Sequence, residues 1–225
     1  MCGIAGFWAP QGRLDAGAAR ATLADMTDTI AHRGSDATGA WLNGETGIAL
    51  GHRRLSIVEL SSAGAQPMTS DSGRLVIVYN GEIYNHAELR KELEQAGIRF
   101  RTTHSDTEVL LWGFVHWGRA VLDRLNGMFA FVVVDALEGQ IFGARDRMGI
   151  KPFFYRFAPG VFEFASEIRA LKGPKVINRQ AIRQYFHFLQ APGDMTFFEG
   201  IHKLEASDCF TWRGDGELKI ESWWS

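Results

Sequence analysis

Met1-Cys2-Gly3-Ile4-Ala5-Gly6-Phe7-Trp8 opens the chain and decides how the rest is read. The uncharged Gly3–Trp8 run suits a strand over residues 3–9 in which small residues allow close backbone approach, so the chain end is held inside the fold. Methionine aminopeptidases generally remove an initiator Met before a small residue such as Cys. Cys2 would then carry a thiol and a free α-amine. Ordinary pKa values of about 8.5 and about 7.7–8.0 let the amine take the thiol proton near neutral pH. One terminal residue would thus supply both nucleophile and base. The plainer reading, a cysteine that merely follows the start codon, stands on local sequence alone.

Working outward, residues 17–32 read as a helix with Leu23, Met26 and Ile30 on one stripe, ending in the polar loop His32-Arg33-Gly34-Ser35-Asp36 with a glycine C-cap signal. Short strands follow at 40–42 and 48–52 around Asn43-Gly44-Glu45, and 53–58 continues as strand or loop. Residues 59–73 read as a long loop. The β-branched run Leu75–Tyr79 is a buried strand leading to a turn at Asn80-Gly81-Glu82. Asn85 with Glu88, and Ser105 with Glu108, have the form of capping boxes opening two helices, which end at Gly97 and near Gly118. Residues 128–135 with 140–146, 153–157 with 161–165, and 210–224 read as hairpins. Short and longer helices are expected at 166–171 and from Asn178 to about 189. Strands in hairpins with few helices point to an α+β fold with antiparallel sheets rather than a parallel doubly wound sheet; two packed sheets with outer helices satisfy the pattern.

The 225 residues, 46% hydrophobic, form one domain on this reading, with residues after about 173 a peripheral extension. A net charge of −2 argues against nucleic acid or an anionic membrane as the main partner. No apolar run is long enough to span a bilayer, and the first residues lack the order of a signal peptide. Cys2 and Cys209 lie far apart, which suits a reducing cytoplasm; Cys209 reads as a small buried hydrophobe. The seven His fall in no metal-binding context, so no metal site is expected.

A terminal-cysteine amide hydrolase needs oxyanion donors and a grip on its substrate. Asn80 with the backbone N–H of Gly81 is a candidate oxyanion pair, and a plain turn is the local alternative. Arg54 is a candidate carboxylate fork or a solvated surface side chain. Asp106 could meet an ammonium or simply cap its helix. Arg145, Arg147 and Lys151 could bind a partner or anion, and read more simply as a loop pinned by ion pairs.

Together these residues resemble the glutaminase domain of class II glutamine amidotransferases, within the N-terminal nucleophile hydrolases, most nearly the amino-terminal half of glutamine-dependent asparagine synthetases. The blocks are Met1–Gly6, His32–Asp36, Arg54–Val58, Gln66–Met68, Asn80–His86, Ser105–Glu108, Gly127–Phe131, Ala144–Pro152 and Ala165–Glu167, in family order over nearly the whole chain. The resemblance implies a four-layer αββα sandwich. It implies that Cys2 attacks the glutamine side-chain amide, that Asn80 and Gly81 hold the oxyanion, and that Arg54 binds the α-carboxylate. Glu82 and Asp106 would take the α-amino end, with Leu55 and Ile57 lining the pocket. L-glutamine would yield glutamate and ammonia, the ammonia passing to an ATP-dependent synthetase domain or subunit. No cofactor is implied in this chain; ATP and Mg belong to the acceptor domain, which is expected to be absent here. A homodimer stays open. Ser35 stands where the family pattern has Pro. Two other classes remain: an idle amidotransferase-like module for regulation or assembly, and a terminal-cysteine hydrolase of another amide, against which Arg54 and Asp106 favour a free amino acid.

Overall fold

The computed structural model describes residues 1–9, 15–158, 160–214 and 216–225. Its elements run β1 (Gly3–Trp8), α1 (Ala16–Thr29), β2 (Ala37–Asn43), β3 (Ile48–Arg54), β4 (Met68–Thr69), β5 (Leu75–Ile83), α2 (His86–Gln95), α3 (Asp106–Trp117), α4 (Val121–Arg124) and β6 (Gly127–Asp135). They continue with β7 (Gln140–Arg145), β8 (Phe154–Ala158), β9 (Val161–Ala165), α5 (Arg179–Phe188), β10 (Ile201–Lys203), β11 (Asp208–Trp212) and β12 (Lys219–Ser222). Among the described residues these strands form two six-stranded antiparallel sheets, ordered β10-β8-β9-β1-β3-β2 and β12-β11-β7-β6-β5-β4.

Period-two alternation builds the layers. Ile4 and Trp8 of β1 meet Val76 and Val78 of β5 and Ala130, Val132 and Val134 of β6 between the sheets. Ala5 and Phe7 face the other way, onto Leu23, Met26 and Ile30 of α1. Ile77 and Tyr79 of β5 face Leu89 and Leu93 of α2 and Val109–Leu111 of α3. Three apolar seams thus separate four layers, the αββα sandwich implied by the resemblance. The central strands are buried on both faces, which antiparallel sheets usually avoid and which explains their near-continuous apolar runs. The segment after residue 173 adds β10 to an edge of the first sheet and β11-β12 to an edge of the second. Among the described residues no helix is long and apolar enough to cross a membrane.

Several expectations need correction. Asn80-Gly81-Glu82 is not a turn: β5 runs through it, with Asn80 opposite Ala130 and Gly81 opposite Phe129. Asn85 makes no side-chain cap on α2; its amide instead donates to Arg124 O and accepts from Asn126 N, both at 2.9 Å. Ser105 does cap α3, accepting from Glu108 N at 3.1 Å, but Glu108 turns to the backbone of Arg101 and Thr102. Gly34 is not a left-handed C-cap, since its φ is −157°. It is a close-approach glycine: a Cβ there would lie 2.5 Å from the Arg53 and Arg54 carbonyl carbons. The loop at 59–73 is partly structured, with a 3-10 turn at Ser62–Gly64 and β4. Among the described residues the 144–152 segment is pinned without ion pairs. Asp146 accepts from the N–H groups of Phe129, Met148, Ile150 and Lys151, while Arg145 donates to the carbonyls of Gly149, Lys151 and Leu204.

His52 bridges the two sheets. Its Nε2 lies 3.2 Å from Tyr79 O, which can only accept, so the neutral ring donates there. Burial, with the Arg54 charge in the same direction, holds its pKa down at about 4 against an ordinary 6.5. Between those values the unfolded chain binds the extra proton, so stability is full above pH 6.5 and is lost as the pH falls toward 4. The loss amounts to roughly 3 kcal/mol. Urea unfolding of His52→Gln from pH 7 to 4.5 is expected to show a flatter dependence than the parent chain; parallel curves would exclude His52 as the cause.

Candidate active site

A cavity of about 320 Å³ opens at the end of the sandwich where β1 begins and β5 ends. That volume lies at the lower end for small-molecule sites. All eight residues singled out from sequence line it: Cys2, Arg54, Leu55, Ile57, Asn80, Gly81, Glu82 and Asp106.

Cys2 is carried in by β1, a central strand held between β3 and β9. The N–H of Ile4 donates to Ser166 Oγ at 3.0 Å, and Ser166 N returns a bond to Ile4 O at 2.9 Å. Arg33 Nε donates to Cys2 O at 3.0 Å while its Nη1 pairs with Glu167 at 3.1 Å. The sulfur touches the Leu55 backbone, 3.4 Å from its N and 3.5 Å from its O. Leu55 therefore orients the Cys2 thiol through its main chain. Met1 also lines the cavity, its sulfur accepting from Lys151 Nζ at 3.1 Å. Asp36 ties the loop before β2 to this wall by accepting from Ser56 N at 2.8 Å. That bond, and a second from Ser35 Oγ, hold its carboxyl below the usual range. Ser35 thus has a polar partner that proline could not offer.

The strand register explains how the candidate oxyanion pair is presented. Phe129 gives its N–H to Asp146 Oδ2 and its carbonyl to Asp146 N. Both groups therefore turn away from β5, and in an antiparallel pair the opposite residue turns away too. Gly81, opposite Phe129, aims its N–H at the free edge of β5. Its edge neighbours two residues away are both satisfied, Tyr79 N by Gln66 Oε1 at 2.6 Å and Ile83 N by Asp106 Oδ2 at 3.1 Å. Gly81 N–H has no acceptor among the described residues. Asn80 is 1% exposed, and its Nδ2 is a buried donor with no partner among the described residues. Buried donors are nearly always satisfied. Two orphans at one cavity define a place for an oxygen. Glycine is required here, since a Cβ at position 81 would lie 2.3 Å from Met128 O.

Arg54, 8% exposed, donates Nη1 to Ser61 O at 2.9 Å and Nη2 to Glu59 O. These bonds give the 59–73 loop its shape and fix the guanidinium, which has no carboxylate partner among the described residues. Asp106 accepts from Tyr79 OH at 2.7 Å, Ile83 N at 3.1 Å and Thr107 N at 2.9 Å, which fixes its carboxylate at the cavity wall. Burial, then the neighbouring Asp106 charge, raises the Tyr79 pKa well above the usual range, so the phenol stays a donor. Glu82 is half-buried. Ile57 is 66% exposed and forms the rim rather than the floor. Sequence reasoning missed Gln66, Tyr79, Thr107, Met128 and Lys151 as cavity residues. Gln66 joins the walls by donating to Thr107 Oγ1 at 3.2 Å as well as accepting from Tyr79 N. Only its place in the Gln66-Pro67-Met68 block hinted at it.

Comparison with known proteins agrees with this geometry. Residues 1–224 match the family model described as "Glutamine amidotransferase domain". The chain is 39% identical to asparagine synthetase (glutamine-hydrolyzing) 3 of Bacillus subtilis (strain 168), over all of this chain and 37% of that relative. It is 38% identical to a putative asparagine synthetase (glutamine-hydrolyzing) of Mycobacterium tuberculosis (strain ATCC 25618 / H37Rv), over 93% of this chain and 34% of the relative. The chain thus spans little more than a third of the length of these relatives. The glutamine phosphoribosylpyrophosphate amidotransferase from B. subtilis, complexed with ADP and GMP, superposes with a TM-score of 0.71 at 19% identity, over 98% of this chain and 49% of that one. That last likeness concerns the fold alone. From its first residue to its last strand, this chain belongs to the glutamine amidotransferase domain family.

Proposed function

We propose that this chain hydrolyses the side-chain amide of L-glutamine to glutamate and ammonia, with Cys2 as the nucleophile. The observation that carries the reading is the pair of unclaimed donors, Asn80 Nδ2 and Gly81 N–H, at the cavity that holds the Cys2 sulfur. After loss of Met1 the α-amine takes the thiol proton. The sulfur attacks the amide carbon, and the carbonyl π pair moves onto oxygen. Asn80 and Gly81 stabilise that oxyanion. The tetrahedral intermediate collapses, the C–N bond breaks, and the amine returns its proton to the departing nitrogen as ammonia. Water then cleaves the thioester, releasing glutamate and restoring the thiol. Arg54 suits the α-carboxylate, and Glu82 with Asp106 suits the ammonium, so the cavity is charged for a free amino acid rather than an acyl or bile-salt chain.

The relatives are named asparagine synthetases, and their additional length fits an ATP-dependent acceptor module as the destination of the ammonia, with ATP and Mg bound there and aspartate as the acceptor. Free thiols at Cys2 and Cys209 suit the cytoplasm. The test is a coupled assay on the purified chain, with its terminus fixed by mass spectrometry. Equal amounts of glutamate and ammonia are expected. Material that retains Met1 lacks the terminal base and is expected to turn over roughly 10²–10⁴-fold more slowly. Full activity with Met1 in place would overturn the base assignment, and a processed chain that makes no glutamate would overturn the function.

A further inference from the structure

Lys151 is the cation at this cavity that the proposed reaction leaves unused. Its backbone is fixed, the N–H donating to Asp146 Oδ2 at 3.0 Å and the carbonyl accepting from Arg145 Nε at 2.7 Å. The residue is 3% exposed and lines the same cavity as Cys2. Among the described residues, the one hydrogen-bond partner of its Nζ is Met1 Sδ, at 3.1 Å. The other cations near Cys2 are already engaged. Arg33 is paired with Glu167, and Arg54 is fixed on the Glu59 and Ser61 carbonyls. Lys151 makes no ion pair among the described residues, an unusual condition for a buried ammonium. Burial first, and then the Arg33 charge, push it below the usual lysine range, with Asp146, Glu82 and Cys2 acting the other way.

We propose that Lys151 is a positioning residue for the nucleophile: once Met1 is removed, its freed ammonium faces the Cys2 amine–thiol pair and promotes the loss of one proton from that pair. The proposal rests on the glutaminase reading for its purpose but not for its measurement. With the amine protonated and the thiol neutral, the pair carries one positive charge beside Lys151. Losing a proton leaves either neutral amine and thiol or ammonium and thiolate. Both are net neutral, so like-charge repulsion is relieved whichever form dominates. Glu82 and Asp36 oppose this effect. Arg33 shares it but is offset by Glu167. Asp106 lines the same cavity, and its carboxylate is held by Tyr79, Ile83 and Thr107.

The experiment uses the full processed chain as wild type, Lys151→Met, Lys151→Gln and Lys151→Arg. Two profiles are read against pH: alkylation of Cys2 by iodoacetamide, followed by peptide mass, and kcat/KM for glutamine. In Lys151→Met and Lys151→Gln both acid limbs are expected to move up by about one unit, an approximately tenfold slower alkylation on the acid side. Lys151→Arg keeps the positive charge and is expected to restore the wild-type limbs, with KM nearly unchanged throughout. A residue that only packs would lower the thermal midpoint without moving either limb. Unmoved limbs in either folded neutral variant overturn the proposal. A moved alkylation limb in a chain that makes no glutamate would instead defeat the glutaminase reading and leave this one standing.

Discussion

Replacing Cys2 by alanine is expected to remove glutamate release, by roughly 10⁴–10⁶-fold, while the chain stays folded and still binds glutamine. The size follows from the role: without sulfur there is no covalent step, and what remains is the oxyanion site acting on water. The small structural cost follows from the contacts. Among the described residues the thiol hydrogen-bonds only with the Leu55 backbone, at 3.4 and 3.5 Å, distances at which sulfur bonds weakly. Neither the Arg33 bond to Cys2 O nor the Ile4–Ser166 pair involves the side chain. Alanine is also small enough to permit Met1 removal, so the terminus is unchanged. A coupled glutamate assay, calorimetric binding of glutamine and a thermal melt check the three parts. Activity persisting in the variant would move the nucleophile elsewhere. Cys209 is a poor substitute: it is 1% exposed on β11, opposite Ala144 and Glu221, and burial raises its thiol pKa.

Asn80→Ala separates catalysis from stability more sharply. Removing one oxyanion donor is expected to cost roughly 10²–10³ in kcat, with KM little changed, because the amide would meet an oxygen charged only in the transition state. Among the described residues Nδ2 has no hydrogen-bond partner, although it is buried. Its removal therefore deletes an unsatisfied donor, and the melting midpoint is expected to hold or rise. A buried structural asparagine would behave oppositely, losing stability and leaving kcat alone. That opposite result, read from steady-state kinetics beside a melt, would reject the oxyanion assignment.

Much of this site was legible before the coordinates because strands with a clear period end at it. The apolar runs of β1 and β5 identify themselves, and each delivers a functional residue at its end. The place of Asn80-Gly81 was not legible. Locally that dipeptide is a turn signal, and only the facing strand Gly127–Phe129, which continues the ladder to Ile83, overrides it. The same override took Asn85 from its helix cap to a long-range bond with Arg124 and Asn126. Lys151 sits in a basic cluster that the sequence offers as a partner or anion site or, in preference, as a pinned loop. Its burial depends on Asp146 gathering four backbone N–H groups, which no spacing rule announces. Gln66 was hidden for a similar reason: its partners Tyr79 and Thr107 are brought to it by the sandwich, not by the chain.

The position of β1 has a consequence for the order of events during synthesis. In chain order β1 precedes both of its neighbours, β3 and, beyond residue 160, β9. β1 must wait for Val161–Ala165 before its second flank arrives, a long-range closure of the kind that folds slowly. Until then Asn80 and Gly81 have no sulfur opposite them, and the thiol has no fixed place. Assembly of the candidate site thus waits on β9, the second of the two strands that enclose β1.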